Sequence, residues 1–407
     1  MTDAILVLNA GSSSLKFALY SDIIVGHDEA VMQTPLLRGK IANIGNAAIF
    51  SAYDAKGNVV PPQDHMICEP SATHDTLIPA LLEWLQNHGG GATIKAAGHR
   101  VVHGGRAHAG PARITNTLMA ELEDLVPLAP LHQPHNLAAI RHVAAFTPDL
   151  PQIACFDTSF HRTQDRLAQI FALPRALTDQ GILRYGFHGL SYEYIAGRLP
   201  SYLGQHGGGR VIVAHLGNGA SMCALKNRQS VATSMGFTAL DGLMMGRRCG
   251  ALDPGVVLHL LEQKRMSPDE ITQLLYRESG LLGVSGISND MASLEASTAP
   301  EAREAIELFC YRAACELAAL CAAIGGLDAI VFTAGIGEKS ALVRSMIIDR
   351  LAWMGVALDP TANEGNQTRI NSDASKIVVL VIPTDEESVI ARATRQLLHV
   401  GNATPAH

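Results

Sequence analysis

An apolar run at residues 5–8 opens the chain, followed by a polar stretch and then by alternating apolar and polar positions. The run is typical of a buried strand, and the spacing of Leu15, Phe17 and Leu19 is typical of a second strand. The residues between them, NAGSSS at 9–14, have the composition of a turn. The pattern therefore predicts a hairpin with a polar tip.

The hairpin tip concentrates groups that can bind an anion. One amide, three hydroxyls and one ammonium lie between Asn9 and Lys16, and Gly11 lets backbone N–H groups approach a ligand closely. Phosphate is the ligand that these donors suit. An ordinary serine-rich turn is the alternative, and a Walker A loop is excluded because no Gly-Lys-Ser/Thr follows at its spacing.

The downstream patterns predict alternating strands and helices. Short apolar runs over residues 21–75 predict a meander of strands, and three prolines in residues 127–134 predict a fixed extended segment inside an otherwise helical region, 118–145. Further strands are predicted at 94–103, 152–156 and 377–382, and further helices at 76–87, 302–324, 341–354 and 388–398.

Three features at predicted strand ends suggest ligand binding. Arg100 lies beside glycines, where it could hold an anion bidentately or form a surface ion pair. Asp157 follows a strand, where open α/β sheets place ligand-binding groups, although it could equally cap the next turn. Residues 333–340, TAGIGEKS, predict a glycine turn before a helix N-terminus, which is a favourable anion or nucleotide site.

Two distant segments of the chain resemble each other. Residues 8–19 align without gaps on residues 214–225, with Gly11 on Gly217 at a spacing of 206. We infer two related β-rich units, each with a phosphate-facing hairpin, and a nucleotide cleft between them. Chance similarity over so short a segment is the alternative.

Composition narrows the class of protein. With 407 residues, 47% of them hydrophobic, the chain is long enough for two globular domains. A net charge of −7 argues against nucleic acid or an anionic membrane as partner. The start lacks a basic leader and no long apolar window occurs, so a cytoplasmic location is expected. Seven cysteines without a CxxC pair predict small buried thiols, and the histidines lack zinc-site spacing.

Eight short motifs in this order resemble the acetate kinase family. They are NAGSSSLK at 9–16, GHRVVHGG at 98–105, FDTSFH at 156–161, YGFHG at 185–189, HLGNGAS at 215–221, MMGRRCG at 244–250, GIGE at 335–338 and TDEE at 384–387. The resemblance implies an α/β fold, the duplicated actin-like ATPase fold shared by acetate and sugar kinases, heat-shock chaperone ATPases and actin. It implies an N-terminal domain of residues 1–155 completed by 386–407, a nucleotide-binding domain of 156–385, and a homodimer.

The resemblance also implies an activity and its residues. The reaction is reversible in-line transfer of the ATP γ-phosphoryl group to acetate, giving acetyl phosphate and ADP, with Mg²⁺ or Mn²⁺. Residues implied in catalysis are Arg100, Asp157, His188, Asn218 and Arg248. Those implied at the acyl group are Arg100, Val102, Leu131, Phe187 and Ala239. Those implied at ATP are Ser12, Ser14, Lys16, His215, Leu216, Gly217, Asn218, Gly219, Asp290, Met291, Ala292, Gly335, Ile336, Gly337, Glu338 and Lys339. Asn9, Asp157 and Glu386 are implied at the metal.

Elementary chemistry limits what this site must do. An acetate carboxylate, with a pKa near ~4, is already ionised at neutral pH and needs no general base. We therefore interpret Asp157 as a residue that organises metal and substrate. Val102 suits a methyl group, whereas Ala239, where the family usually has proline, could admit propionate or longer acids. Ala292 and Lys339 depart from the family pattern near the nucleotide. A nucleotide-switched binding module and a sugar kinase are the alternatives of other classes.

Overall fold

The computed structural model describes residues 2–11, 14–23, 34–62 and 72–400, and its chain divides into two compact units. The first unit contains the described residues up to Phe160 and those from Asp385 onward, and the second runs from His161 to Thr384. The strands of the described residues are β1 (Asp3–Ala10), β2 (Leu15–Ser21), β3 (Leu37–Ala42), β4 (Ile49–Asp54), β5 (Thr93–Val101), β6 (Ala112–Arg113), β7 (Gln152–Phe156), β8 (Arg210–Leu216), β9 (Ala220–Lys226), β10 (Gln229–Thr233), β11 (Ala329–Thr333) and β12 (Val378–Val381).

The α-helices fill the remaining sequence between these strands. They are α1 (His74–His88), α2 (Asn116–Asp124), α3 (Gln133–Phe146), α4 (Arg166–Gln169), α5 (Arg175–Asp179), α6 (Gly189–Leu203), α7 (Pro254–Glu262), α8 (Pro268–Arg277), α9 (Gly280–Ser285), α10 (Met291–Glu295), α11 (Pro300–Ile324), α12 (Ala334–Lys339), α13 (Ala341–Asp349), α14 (Pro360–Glu364) and α15 (Glu386–Val400). None of the described helices has the length and hydropathy needed to cross a membrane.

The first unit is built on a mixed sheet with strand order β4-β3-β2-β1-β5-β7-β6. Strands β1 to β4 form an antiparallel meander, whereas β5 is parallel to β1 and β7 is parallel to β5. The predicted first hairpin is confirmed, with Ala10 opposite Leu15 across its tip. Because parallel strands end at the same edge of a sheet, the residues that follow β1, β5 and β7 are brought to one edge.

The second unit repeats this arrangement with the order β10-β9-β8-β11-β12. Strands β8 to β10 are antiparallel, and β8, β11 and β12 are parallel, as are β1, β5 and β7 in the first unit. The aligned segments 8–19 and 214–225 form the first hairpin of each sheet, with β1 ending at Ala10 and β8 ending at Leu216. The predicted duplicated α/β fold is confirmed.

Helices cover both faces of the first sheet because successive strand residues point to opposite faces. Ala97 of β5 packs in a core with Trp84 of α1 and Val143 of α3. The next residue, Gly98, faces α15, and a side chain there would collide with Thr394. The glycine therefore lets α15 lie against β5, which carries Glu386 at the start of that helix toward the strand ends.

Several local predictions are wrong. The proline-rich segment is not extended, since Pro127 lies in a 3-10 turn and Pro134 lies in the first turn of α3. The N–H that proline lacks has no partner within the helix at that position. The predicted glycine turn at 335–339 is the helix α12, which starts directly after β11. The helix that follows ends at Asp349 rather than residue 354.

The prediction for the cysteines is correct for four of the six described thiols. Cys155, Cys223, Cys310 and Cys321 are buried, Cys249 is half-buried and Cys315 is exposed on α11. The seventh, Cys68, lies outside the described residues.

Burial lowers the pKa of three of the buried histidines to about 4. They are His99, His103 and His161. Removal from water penalises the charged imidazolium, and hydrogen bonds compensate only partly in His99 and His161. The folded protein therefore holds all three in the neutral form at pH values where an unfolded chain, with a pKa near ~6.5, would protonate them.

This difference predicts loss of stability in mild acid. As pH falls from about 6.5 toward 4, the unfolded state binds protons that the folded histidines refuse, so each histidine lowers the free energy of unfolding by up to about 1.4 kcal/mol per pH unit. Urea unfolding at pH 7.5 and pH 5 measures the slope. Averaged between these two pH values, the variant His99→Gln should show a slope smaller by about half a proton than the parent, because one titrating imidazole is gone, while Asp157, whose raised pKa opposes the trend, is the same in both. Equal slopes in the two proteins would refute the assignment.

Candidate active site

The first unit joins its predicted site residues through Asn9, at the end of β1. The buried Asn9 amide donates from Nδ2 to Glu386 Oε2 and to Glu387 Oε1, each at 3.0 Å. Lys16, on the partner strand of the hairpin, lies 3.5 Å from Glu387 Oε1 through its Nζ atom. The start of α15 therefore supplies two carboxylates to the polar hairpin.

A buried ion pair continues this network across the sheet edge. Arg100 near the end of β5 donates to Asp157 Oδ2 from Nε at 3.0 Å and from Nη2 at 2.5 Å. Its Nη1 lies 3.4 Å from Asn9 Oδ1. Asp157, directly after β7, is only 1% exposed, and its second oxygen, Oδ1, is buried without a hydrogen-bond partner among the described residues. Five predicted residues thus form one connected group: Asn9, Lys16, Arg100, Asp157 and Glu386.

Burial and charge act in opposite directions on this group. Burial raises the pKa of Asp157, and the Arg100 guanidinium opposes that rise. Burial lowers the pKa of Arg100, but Asp157 and Glu386 raise it beyond that effect, so the guanidinium stays charged. Glu387 likewise raises the pKa of Lys16 against burial. With Glu387 included, the three carboxylates of the group outnumber its two cations, which favours an added cation.

Two contributors to the first unit's site were missed by sequence reasoning. Glu387 was noted only as part of the TDEE motif, yet it bridges Asn9 and Lys16. Asn136, buried in α3, accepts a hydrogen bond from Val102 N at 3.0 Å and donates to Ala10 O at 2.6 Å. It ties the ends of β1 and β5 together, and no local pattern distinguishes such a residue.

The hairpin tip is closed by its own backbone. Gly11 N donates to Ser14 O at 2.7 Å, and the Gly11 carbonyl lies 2.8 Å from His74 Nε2 at the start of α1. The His74 ring stacks on His135 of α3 with centroids 4.4 Å apart. The predicted phosphate-binding residue Ser12 lies outside the described residues.

In the second unit, His188 is held in an unusual backbone conformation just before α6. Its φ is +57°, in the left-handed region that non-glycine residues rarely adopt. The ring Nδ1 lies 2.8 Å from Ser221 Oγ of β9, which in turn lies 2.5 Å from the Tyr192 hydroxyl. The ring also stacks on His215, at the end of β8, with centroids 4.2 Å apart. These contacts fix both the position and the rotation of His188.

Gly219, in the turn after β8, lies against two of the predicted catalytic side chains. A Cβ atom at Gly219 would stand 2.7 Å from Arg248 Nη2 and 3.3 Å from His188 Nε2, so a side chain there would displace one of them. Arg248 Nη1 donates to Ala239 O at 2.5 Å. The turn also contains Asn218, whose carbonyl accepts from Gly246 N at 3.0 Å. His188, the 217–219 turn and Arg248 are therefore gathered in one place.

The predicted nucleotide segments of the second unit are braced from behind by a buried arginine. Arg344 is fully buried and donates to Gly337 O at 2.9 Å and to Asn363 Oδ1 at 2.7 Å. Burial lowers its pKa to about 10. The Ser340 hydroxyl donates to Glu295 Oε1 at 2.5 Å, which links the α12 and α13 junction to α10. Sequence reasoning missed Arg344, because an arginine on a helix is usually exposed.

The remaining predicted residues differ in accessibility. Of the segment before and within α10, Asp290 and Ala292 are exposed, whereas Met291 is buried. In α12, Gly335 and Lys339 are exposed, Ile336 and Glu338 are half-buried, and Gly337 is buried. Each unit contains two of the four apolar residues predicted at the acyl group. Val102 and Phe187 are buried, and Leu131 and Ala239 are half-buried.

Comparisons with known proteins agree with these motifs over nearly the full chain. The family model of the Acetokinase family matches residues 4–392. An acetate kinase from Rhodopseudomonas palustris is 53% identical over 404 residues, covering 98% of this chain and all of that protein. A propionate kinase structure from Francisella tularensis has a TM-score of 0.86 at 37% identity, covering 97% of this chain and 99% of that one. The Porphyromonas gingivalis acetate kinase structure has a TM-score of 0.83 at 34% identity, covering 97% and 100%.

The match thus spans both units, including the returning helix α15 as far as residue 392. Identity of this level over the full length of both proteins is a property of a common family rather than of a common fold alone. On these findings the chain belongs to the Acetokinase family.

Proposed function

We propose that this protein is an acetate kinase, which transfers the γ-phosphoryl group of ATP to acetate and runs reversibly. The observation that carries the proposal is the gathering of His188 and Arg248 on Gly219, in a chain 53% identical to a protein named acetate kinase. Phosphoryl transfer demands mainly positioning and stabilisation of negative charge on the equatorial oxygens. The side chains of His188 and Arg248 converge on Gly219, which has no side chain, and they meet that demand as hydrogen-bond donors.

In the proposed reaction an acetate oxygen attacks the γ-phosphorus in line, and the bond to the β,γ-bridging oxygen breaks as ADP leaves. No proton is removed, since acetate is ionised near neutral pH. Arg100 and Arg248 offset the repulsion between the acetate and the phosphate charge, and His188 and Asn218 contact the phosphoryl group. Val102, Leu131, Phe187 and Ala239 surround the methyl group.

Mg²⁺ is the proposed metal, with Mn²⁺ as a substitute, and when bound it neutralises charge on the β- and γ-phosphates. Its proposed ligands are Asn9, Asp157 and Glu386. They are oxygen donors, Asp157 Oδ1 has no hydrogen-bond partner in the described part of the chain, and the surrounding carboxylates outnumber the cations, all of which suit a hard cation.

The second unit is the proposed nucleotide-binding domain. Its proposed adenosine side comprises the segments 290–292 and 335–339, and its proposed phosphate side comprises 215–219, assisted by Ser12, Ser14 and Lys16 of the N-terminal domain. The boundary of that domain near residue 155, its completion from residue 386, and the cytoplasmic location stay predictions.

Substrate size provides the second candidate function, a propionate kinase or a broader short-chain acyl kinase. Ala239 is smaller than the proline usual at this position, and its carbonyl is held by Arg248. The solved Francisella tularensis relative is titled a propionate kinase. Val102, which is buried, argues for the smaller acid.

The first prediction from this proposal concerns acyl specificity. With ATP and Mg²⁺, kcat/KM should be highest for acetate and lower for propionate by a factor between ~5 and ~160, because one methylene is worth ~1 to 3 kcal/mol. Trapping the acyl phosphate as hydroxamate measures this, and omission of Mg²⁺ should abolish product. A preference for propionate would mean that Ala239 sets the pocket. No product with any carboxylate would favour the binding module, and phosphorylation of a polyol alone would favour a sugar kinase.

The second prediction concerns Arg248. Arg248→Ala should lower kcat by at least ~100-fold, because its guanidinium would stabilise charge that develops in the transition state. The neighbouring Arg247 is exposed and bonded only weakly, at 3.4 Å, to Asn289, so Arg247→Ala is the matched control and should stay within about 2-fold of the parent. An unchanged kcat with only a raised KM in Arg248→Ala would contradict the role.

We also propose that the protein forms a homodimer, with the apolar helix α7 at the interface. No residue of α7 is buried, and within it Val256 is 40% and Leu258 is 56% exposed, next to Leu252 at 40%. Large apolar side chains exposed together on one short segment favour a protein interface. Electrostatic repulsion between the α7 helices of two copies would be small, because the sequence of α7, PGVVLHLLE, carries only one acidic residue and one histidine.

A charge placed on α7 should therefore separate the subunits. Leu258→Asp is expected to elute with the mass of one chain in light-scattering chromatography, whereas the parent elutes with the mass of two. Val59 is 72% exposed in the first unit and supplies the control, since Val59→Asp should leave the parent mass unchanged. A dimer that survives in Leu258→Asp would place the interface elsewhere.

A further inference from the structure

His161 is a buried histidine to which the proposed reaction assigns no role. It is 2% exposed and lies in the second unit, in the 3-10 turn Ser159–Thr163 at the end of the FDTSFH motif. Its Nε2 lies 2.9 Å from the Phe187 carbonyl oxygen, and its Nδ1 lies 2.9 Å from Ser230 Oγ of β10. The side chain therefore connects an edge strand of the second sheet to the residue that precedes His188.

The hydrogen bonds define which nitrogen carries the proton. A carbonyl oxygen can only accept, so Nε2 must be the donor to Phe187, and Nδ1 must accept from the Ser230 hydroxyl. Gln164 Nε2 lies 2.9 Å from Ser230 Oγ and donates there, and Cys223 Sγ lies 3.3 Å from the same oxygen, so with the thiol also donating, the hydroxyl proton points at His161. Burial lowers the pKa of His161 to about 4, so this neutral tautomer persists across the physiological range.

The carbonyl that His161 holds lies between two residues of unusual backbone conformation. Gly186 has φ of +73° and His188 has φ of +57°. The His161 ring also lies against Gly186, where a Cβ atom would stand 2.6 Å from its Cδ2. A histidine in the left-handed region is held there only when its surroundings fix it, and such positions concentrate at functional sites. The hydrogen bond from His161 supplies that fixation on the N-terminal side.

The ring of His188 is oriented separately. Ser221, whose hydroxyl is itself hydrogen-bonded to Tyr192, holds Nδ1, which directs Nε2 toward Gly219 and Arg248. Two independent supports therefore act on His188, one through its backbone and one through its ring. The backbone support sets the position of the His188 Cα atom, from which the ring extends. A small shift of the turn would therefore move Nε2 away from Gly219 and Arg248.

We propose that His161 is a positioning residue, which fixes the turn at Phe187 and thereby presents His188 to the transferring phosphoryl group. The inference rests on the proposed function, since it assumes that His188 contacts that group. His161 itself contacts neither substrate nor phosphate in this proposal.

Three variants test the support. His161→Leu removes both hydrogen bonds and should lower kcat on the order of 10-fold to 100-fold, with the KM for acetate changed by less than about 3-fold. His161→Gln can still donate an amide N–H to the Phe187 carbonyl and should recover most of the lost kcat. Ser230→Ala keeps the ring but removes its tautomer partner, and a loss of about 3-fold or more is expected even if His161→Leu fails to fold.

A stability control separates positioning from general loosening. Leu320→Ala in α11 removes a buried side chain outside the proposed site and should destabilise the protein while leaving kcat per folded molecule unchanged. A fall in kcat for Leu320→Ala equal to that of His161→Leu would overturn the proposal, as would equal losses for His161→Leu and His161→Gln.

The decisive measurement is a double-mutant cycle with His188→Ala. If His161 acts through His188, adding His161→Leu to His188→Ala should cost no more than about 2-fold further in kcat, although His161→Leu alone costs 10-fold or more. An effect of His161→Leu that persists in full without the His188 ring overturns the inference. Failure of the proposed function is distinguishable, because the parent protein would then form no hydroxamate at all.

Discussion

The buried pair of Arg100 and Asp157 is the interaction on which the site of the first unit depends. Taking either charge out of water alone is expensive, and removing one partner of such a pair commonly costs about 3 to 5 kcal/mol. The pair forms because β5 and β7 are parallel neighbours, so their ends bring Arg100 and Asp157 to one edge of the sheet. Asn9 reaches the same edge from β1, and α15 adds two carboxylates from the far end of the chain. The buried members of this group, Asn9, Asp157 and Glu386, are each hydrogen-bonded to another member.

In the second unit the main constraint is the close approach of donor side chains to a ligand. Donor side chains can converge on a ligand only if the backbone between them leaves room, and Gly219 leaves that room beside His188 and Arg248. Residues packed beneath these groups hold them in place. Ser221 orients His188, and Arg344 fixes the carbonyl of Gly337 while its other N–H groups donate to oxygens of Asn363 and Asn366. Uncharged amide partners hold Arg344 in one geometry, and its lowered pKa reflects the cost of its burial.

Local periodicity explains which parts of the fold could be predicted. The first hairpin, α1, β7 and α11 follow from apolar spacing and glycine breaks, and the duplication follows from matched segments half a chain apart. Pro134 was misread because proline is favourable in the first turn of a helix, although it breaks a helix interior. The 335–339 segment was misread because its glycines suggested a turn, whereas the structure extends α12 through them.

The parts of the site that escaped prediction are those made by distant pairs. Asn9 and Glu386 are 377 positions apart, and nothing in either neighbourhood specifies the other. Family motifs supplied Glu386, but Glu387 and Asn136 needed the folded chain, because their value lies in which backbone and amide groups they reach. Arg344 and His161 also escaped prediction, since both donate hydrogen bonds to backbone carbonyl oxygens that no sequence pattern identifies.

The geometry around Asp157 bears on the class of acceptor. A hydroxyl acceptor needs a carboxylate that can take up its proton during the reaction, whereas acetate needs none. Arg100 donates two N–H groups to Asp157 Oδ2, and such bonds favour the charged carboxylate, while burial alone raises the pKa of Asp157. The guanidinium would also attract an anionic acceptor, whereas a neutral sugar would gain nothing from its charge. One arginine beside the strand-end aspartate would thereby suit the same fold to a carboxylate, and in the proposed reaction the aspartate would hold that arginine and a metal rather than move a proton.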